Sequence, residues 1–236
     1  GIGRAVAVVL AAQGVKVAAS ARAADKLVAL AAEHPGITPY PLDVTDAAAV
    51  AAAAQRITDE LGPIDLALFG AGTYQPVKAT DIAPALFASM MQVNYMGTVN
   101  GIAAVLPLMQ ARKAGQIALI ASVAGYRGLP KAAAYGPTKA ALINLAECLA
   151  PELALAGITV SVVNPGFVRT PLTAQNDFPM PWLMEPEDAA AATISGLTAR
   201  KFEIAYPRPF VRLLKIARLL PYRLYFALIR RQVLTP

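Results

Sequence analysis

The sequence holds one cysteine, one histidine and one tryptophan in 236 residues, and only 15% of it is charged. A single cysteine, Cys148, excludes an internal disulfide framework. With His34 the sole histidine, a Cys/His zinc site lacks a ligand set, and no metal is expected. The 56% hydrophobic content excludes a disordered chain, which could not bury so much apolar surface and stay solvated. No uninterrupted apolar run reaches the roughly 18 residues of a membrane span, and no secretory signal opens the chain. These absences read as a soluble, cytoplasmic protein with a large core. The length suits one large domain or two small ones.

Charge is unevenly placed. Residues 199–236 carry nine basic side chains against one acid, Glu203, whereas residues 1–198 carry 12 basic and 14 acidic ones. A mildly acidic body with a basic end argues against nucleic acid as a partner, because a recognition surface would place its charge on the fold itself.

Short β-branched runs alternate with longer alanine-rich stretches. The runs predict strands over Val15–Ser20, Ile37–Asp43, Ile64–Gly70, Gln116–Ser122, Ile158–Asn164 and Phe202–Tyr206. Most are near-continuous apolar runs, as in strands covered on both faces of a parallel sheet. Helices are expected over Ile2–Gln13, Ala23–Glu33, Asp46–Leu61, Asp81–Lys113, Tyr135–Ala156 and Glu187–Ala199. Asp46 and Asp81 read as N-caps, and Gly14 and Gly157 as left-handed residues after helix ends. The alternation implies an α/β fold with a doubly wound, Rossmann-like parallel sheet in a single domain, followed by a C-terminal helical arm. Residues 1–206 form the dinucleotide-binding and catalytic domain in this reading, and residues 207–236 the basic helical tail. Gly1-Ile2-Gly3-Arg4 enters a helix with no strand before it, so a preceding strand is expected in a longer gene product.

The chemistry concentrates between Ser122 and Lys139. Tyr135 and Lys139 are four residues apart, so on a helix they share one face. A phenol of pKa about 10 is a poor proton-transfer group near neutrality. A neighbouring ammonium favours phenolate and is expected to lower that value. Ser122 closes a buried strand, at the edge where open α/β sheets place ligands. Pro137 between Tyr135 and Lys139 is tolerable if the helix starts there.

These residues resemble the short-chain dehydrogenase/reductase family, and the resemblance covers nearly all of residues 1–206. Gly1 and Gly3 look like the last two glycines of the family's Thr-Gly-x-x-x-Gly-x-Gly turn. Asp43 looks like the aspartate that contacts the adenine ring. Asn94, in Val93-Asn94-Tyr95, resembles the helix asparagine that helps hold an active-site water. Ser122, Tyr135 and Lys139 match the catalytic serine and the Tyr-x-x-x-Lys motif. Asn164-Pro165-Gly166 with Thr170 matches the turn around the nicotinamide. The resemblance implies a catalytic set of Asn94, Ser122, Tyr135 and Lys139. The cofactor-binding set it implies is Gly1, Ile2, Gly3, Arg22, Asp43, Val44, Ala71, Gly72, Tyr135, Lys139, Pro165, Gly166, Val168 and Thr170. It also implies a small-molecule carbonyl or alcohol substrate and a homodimer or homotetramer. Ser122 would orient the substrate oxygen, Tyr135 pass the proton, and Lys139 hold the nicotinamide ribose. A catalytically silent nucleotide-binding protein, docked by its tail, is the alternative.

One substitution departs from the family: Phe69-Gly70-Ala71-Gly72 has Gly70 where an asparagine usually ties neighbouring strands. Cofactor choice is read after Val17-Ala18-Ala19-Ser20. An acid there would accept a ribose 2′-hydroxyl, but the chain has Ala21 and then Arg22, suited to a 2′-phosphate. NADP(H) is therefore expected over NAD(H). Leu172, Phe178, Met180, Trp182, Leu183 and Met184 fall in the family's lid region, and suit either a hydrophobic substrate or packing on the core or a neighbouring subunit. Cys148 is expected as a small core residue. The tail shows two amphipathic stretches, the second over Tyr222–Leu234, with Pro221 between them. It suits either peripheral membrane contact through residues 207–236 or an arm packed on protein.

Overall fold

The computed structural model describes residues 1–231. Its elements run α1 (Ile2–Ala12), β1 (Val17–Ala21), α2 (Ala24–Glu33), β2 (Ile37–Pro41), α3 (Ala47–Leu61), β3 (Leu66–Phe69), α4 (Pro84–Met91), α5 (Gly97–Arg112), β4 (Gly115–Ile120), α6 (Tyr135–Ala154), β5 (Ile158–Pro165), α7 (Pro186–Thr198), β6 (Glu203–Tyr206), α8 (Arg208–Leu219) and α9 (Tyr222–Ile229). Each expected strand is present, its ends shifted by at most two residues. The end of the second amphipathic stretch, at Leu234, lies outside the described residues.

All strand pairs are parallel, forming a two-stranded sheet β1–β2 and a four-stranded sheet β3–β4–β5–β6. Helices cover both faces. Met109 of α5 and Leu142 and Ala146 of α6 pack with Ile117, Leu119 and Val162 on one side. On the other, α7 packs on Val163 and Ile204, and Ala190 of α7 meets Ala5 and Val6 of α1. This two-sided cover is why the strands are continuous apolar runs. Helix α1 spans the two sheets, with Ile2 and Leu10 in the cluster of Leu68 (β3) and Ala7 and Val8 in that of Val17 and Ala19 (β1). Among the described residues, β1 and β3 each keep one edge without a strand partner.

Local chemistry explains most helix ends. Asp46 caps α3, accepting the Ala49 N–H at 2.9 Å, a contribution of about 1 kcal/mol. Gly14 and Gly157 take the left-handed conformation with φ of 83° and 73°. Asp81 is not a cap. The helix begins at Pro84, whose fixed φ and missing N–H suit the first helical position, and Asp81 instead accepts the Thr80 hydroxyl. The single helix expected over Asp81–Lys113 is α4, a π-helical turn over Gln92–Met96, and α5 in succession. Cys148 is exposed, not in the core. The buried stripe of α6 runs through Leu142, Ile143, Ala146 and Leu153, and Cys148 falls on the opposite side of the turn.

The tail is pinned to the body on its inner side. Phe210 and Val211 of α8 are buried in the largest core cluster. The approach requires glycine at 166, where a Cβ would lie 2.9 Å from the Phe210 ring. The Arg127 guanidinium donates to the carbonyls of Ala217, Arg218 and Leu220 at 2.7, 3.0 and 2.8 Å. A cation thus satisfies the open carbonyls where α8 ends. The same group stacks 3.9 Å from the Tyr225 ring centre of α9, and Tyr225 donates to the Gly128 carbonyl at 2.7 Å.

Candidate active site

Parallel strands end on one side of a sheet, and the segments that follow them hold the candidate residues. Arg22 follows β1, Asp43 and Val44 follow β2, Ala71 and Gly72 follow β3, Ser122 follows β4, and Pro165 to Thr170 continue from β5. Ser122 donates to the Pro165 carbonyl at 3.4 Å and accepts the Ala124 N–H at 3.1 Å, tying the ends of β4 and β5. Tyr135 opens α6 with Lys139 one turn on, and Pro137 falls in the first turn, where no helical hydrogen bond is lost.

Burial governs the titration of both. The Lys139 ammonium is 4% exposed as a residue and donates to the Ile120 carbonyl at 2.8 Å. Removal from water lowers its pKa from 10.5 to about 8. The Tyr135 phenol is pushed up to about 12 by burial, partly offset by a hydrogen bond with Ser122 and reinforced by Tyr74. This is opposite to the lowering expected from a neighbouring ammonium. Loss of solvation outweighs a cation held by another partner. Near neutrality Tyr135 is therefore protonated, the state of a proton donor. The Tyr74 ring meets it edge-on, with centroids 5.0 Å apart.

Asn94 lies in the π-helical turn and is fully buried. Its Oδ1 accepts the Thr73 N–H at 2.7 Å, and its Nδ2 donates to the Thr73 carbonyl at 2.9 Å and to Thr138 Oγ1 at 3.1 Å. Both amide donors are committed, so this side chain clamps the loop after β3 to α6 rather than donating to a water. The space beside Gly70 is taken by Ile120, whose Cδ1 would lie 2.9 Å from an added Cβ. Thr138 and Tyr74 were missed by sequence reasoning. Tyr74, two residues past Gly72, had only its proximity to a candidate loop as a signal.

The cofactor residues suit a dinucleotide. The N-terminus of α1, at Gly1, Ile2 and Gly3, presents backbone N–H groups of the kind that suit a pyrophosphate. Gly1 lies against Thr170, whose Cγ2 would be 3.5 Å from an added Cβ. The Asp43 carboxyl is held below the usual carboxylate range by the Thr45 N–H and hydroxyl, with Arg22 adding to the effect. The Val44 carbonyl is fixed by Asn100 Nδ2 at 2.9 Å. Gly72 leaves space beside Asn94 and Lys139, with Nζ 3.8 Å from where its Cβ would be. Gly166 and the buried Val168 anchor the loop after β5, which returns through a bridge between Val168 and Met184. In the lid, Lys131 pairs with Asp177 at 2.6 Å. Phe178 and Trp182 pack on protein, against Phe167 and Phe210 with ring centroids 6.0 and 5.7 Å apart.

Open strand ends and a Ser–Tyr–Lys set define a dinucleotide-dependent oxidoreductase of the α/β class. Residues 1–179 match the family model for short chain dehydrogenase. The chain is 36% identical over 235 residues to an uncharacterized oxidoreductase of Myxococcus xanthus (strain DK1622), covering 98% of this chain and 93% of the relative. It is 34% identical over 200 residues to an uncharacterized oxidoreductase of Staphylococcus haemolyticus, covering 84% and 87%. A crystal structure of a short-chain dehydrogenase from Streptomyces avermitilis superposes with a TM-score of 0.83 at 28% identity, covering 91% of this chain and 88% of that one. The chain belongs to the short-chain dehydrogenase/reductase family. It is an oxidoreductase that acts on CH–OH and C=O groups with NAD(P). Among the described residues, no helix is long and apolar enough to cross a membrane.

Proposed function

We propose that the chain interconverts a carbonyl and an alcohol on a hydrophobic small molecule, with NADP(H) preferred over NAD(H) and Tyr135 as the acid/base. The observation that carries this reading is the Tyr135 phenol beside Ser122 and one helical turn from Lys139, at the carboxyl edge of the sheet. Ser122 orients the substrate oxygen, and Tyr135 donates its proton to that oxygen during reduction and takes it back during oxidation. Lys139, held at the end of β4, presents its ammonium to the ribose side of the site. Asn94 positions the loop after β3. The start of α1, Arg22, Asp43, Val44, Gly72 and the loop from Pro165 to Thr170 hold the cofactor. When bound, the nicotinamide supplies or accepts the hydride.

Arg22 carries the NADP(H) preference, since a guanidinium pairs with a phosphate that an acid would repel. Half-buried Leu172, Met180 and Leu183 in the lid support an apolar substrate. The partners in this reading are a second copy of the chain, as homodimer or homotetramer, and a bilayer surface met by residues 207–236. The test is NADPH oxidation with a panel of apolar ketones, repeated with Tyr135→Phe. The variant should keep its fold and lose at least about 100-fold in kcat. Turnover retained by the phenylalanine variant would remove Tyr135 from the acid/base role.

A further inference from the structure

Of the 14 large hydrophobic side chains exposed in the described residues, seven fall between Leu213 and Leu228. On α8, Leu213, Ile216 and Leu219 recur every third residue and are 50, 64 and 83% exposed. Phe210, Val211 and Ala217 of the same helix are buried. On α9, Tyr222 and Phe226 stack one turn apart on the outside while Tyr225 is buried. The inner faces of both helices are spent on the body, and the Arg127 guanidinium also lies 5.1 Å from the Tyr222 ring centre, while Leu213, Ile216, Leu219, Leu224, Phe226 and Leu228 stay exposed.

The charges around this surface choose its occupant. Residues 204–236 contain no acid. Lys215 is paired with Glu203, and Arg127 caps α8 from the body. Arg208, Arg212 and Arg223 are exposed and make no ion pair among the described residues. A symmetric dimer through this face would press the same cations against their copies, a like-charge contact that disfavours association. An anionic surface with an apolar interior satisfies both features at once: arginines meet headgroups while leucines and rings enter the acyl boundary.

We propose that the outer face of α8 and α9 is a docking surface for anionic lipid bilayers, with the helices lying in the plane of the interface. This deepens the peripheral-contact reading of residues 207–236 and is independent of the choice of cofactor. Half-exposed Trp182 of the lid stacks on Phe210 of α8 at 5.7 Å, so docking would hold the lid about one helix diameter from the bilayer. An apolar substrate carried by the membrane would then reach the cleft from its lipid side.

The test is co-sedimentation of the full chain with vesicles of phosphatidylcholine alone or mixed with phosphatidylglycerol. Binding should need the anionic lipid, and about 0.5 M salt should weaken it without abolishing it, since screening removes only the charge contribution. Leu213→Glu/Ile216→Glu should lose at least about tenfold in vesicle affinity with unchanged NADPH turnover and thermal unfolding. Arg212→Glu/Arg223→Glu, which leaves the apolar residues in place, should lose the preference for anionic lipid. Absence of sedimentation with either vesicle overturns the proposal. So does a Leu213/Ile216 variant that binds vesicles normally but has a smaller oligomer, which would make this face a subunit interface. Because turnover is scored separately, failure of docking and failure of the oxidoreductase reading remain distinct.

Discussion

Lys139 Nζ lies 5.5 Å from the centre of the Tyr135 ring and gives its hydrogen bond to the Ile120 carbonyl at 2.8 Å. The ammonium is therefore held by β4, whose next loop carries Ser122, and not by the phenol. Three functional side chains share one rigid frame. Burial separates the titrations of Tyr135 and Lys139, leaving lysine as the one nearer neutrality.

Carbonyl reduction should accordingly be steady near neutral pH and fall as pH rises past about 8, where Lys139 loses its proton. The folded value lies below the ordinary 10.5, so the charge is lost early as pH rises. Tyr135, near 12, stays protonated over the same range. A kcat/KM profile between about pH 6 and 10 checks this. A profile flat to the upper limit would mean that Lys139 keeps its charge.

Arg22→Asp should lower the ratio of kcat/KM for NADPH over NADH by at least about tenfold, as attraction to the 2′-phosphate becomes repulsion. Arg22 is exposed beyond the end of β1, so thermal stability should not move. An unchanged ratio would leave Arg22 as a solvated turn residue.

Glu203 is the third test. It accepts Tyr126 Oη at 2.5 Å and Asn164 Nδ2 at 3.1 Å, and pairs with Lys215 of α8. Burial raises its pKa, but the hydrogen bonds from Lys215, Tyr126 and Asn164 prevail and hold it below the usual glutamate range. Its contribution is present above the unfolded pKa and lost as pH falls through the folded one. Glu203→Ala strands a buried amide and a phenol and should cost about 2–4 kcal/mol in urea unfolding near pH 7. Glu203→Gln, which keeps an acceptor, should cost less. Equal stability of the alanine variant would show that these contacts contribute nothing net.

The strands and the Ser122, Tyr135 and Lys139 set were legible because each depends on short-range pattern. A strand covered on both faces must be continuously apolar, as Ile117 to Ile120 are, and two residues four apart on a helix must share a face. Asp46 was readable as a cap for the same reason, since its partner Ala49 is three residues away. Asp81 misled because a proline three residues on took over the helix start.

Other features were decided by segments far apart in the chain. Asn94 meets Thr73 and Thr138, 21 and 44 residues away, and that packing makes its side chain a clamp. Arg127 caps a helix end 90 residues on, which joins the tail to the body and leaves only its outer face apolar and basic. Cys148 faced outward once the buried stripe of α6 was set by the sheet beneath it. The direction of the Tyr135 shift also belongs to tertiary structure. The sequence alone determined which groups stand near one another along a helix or strand. Desolvation is summed over everything folded around a group, so only the packed chain decides whether a neighbouring charge or the loss of water prevails.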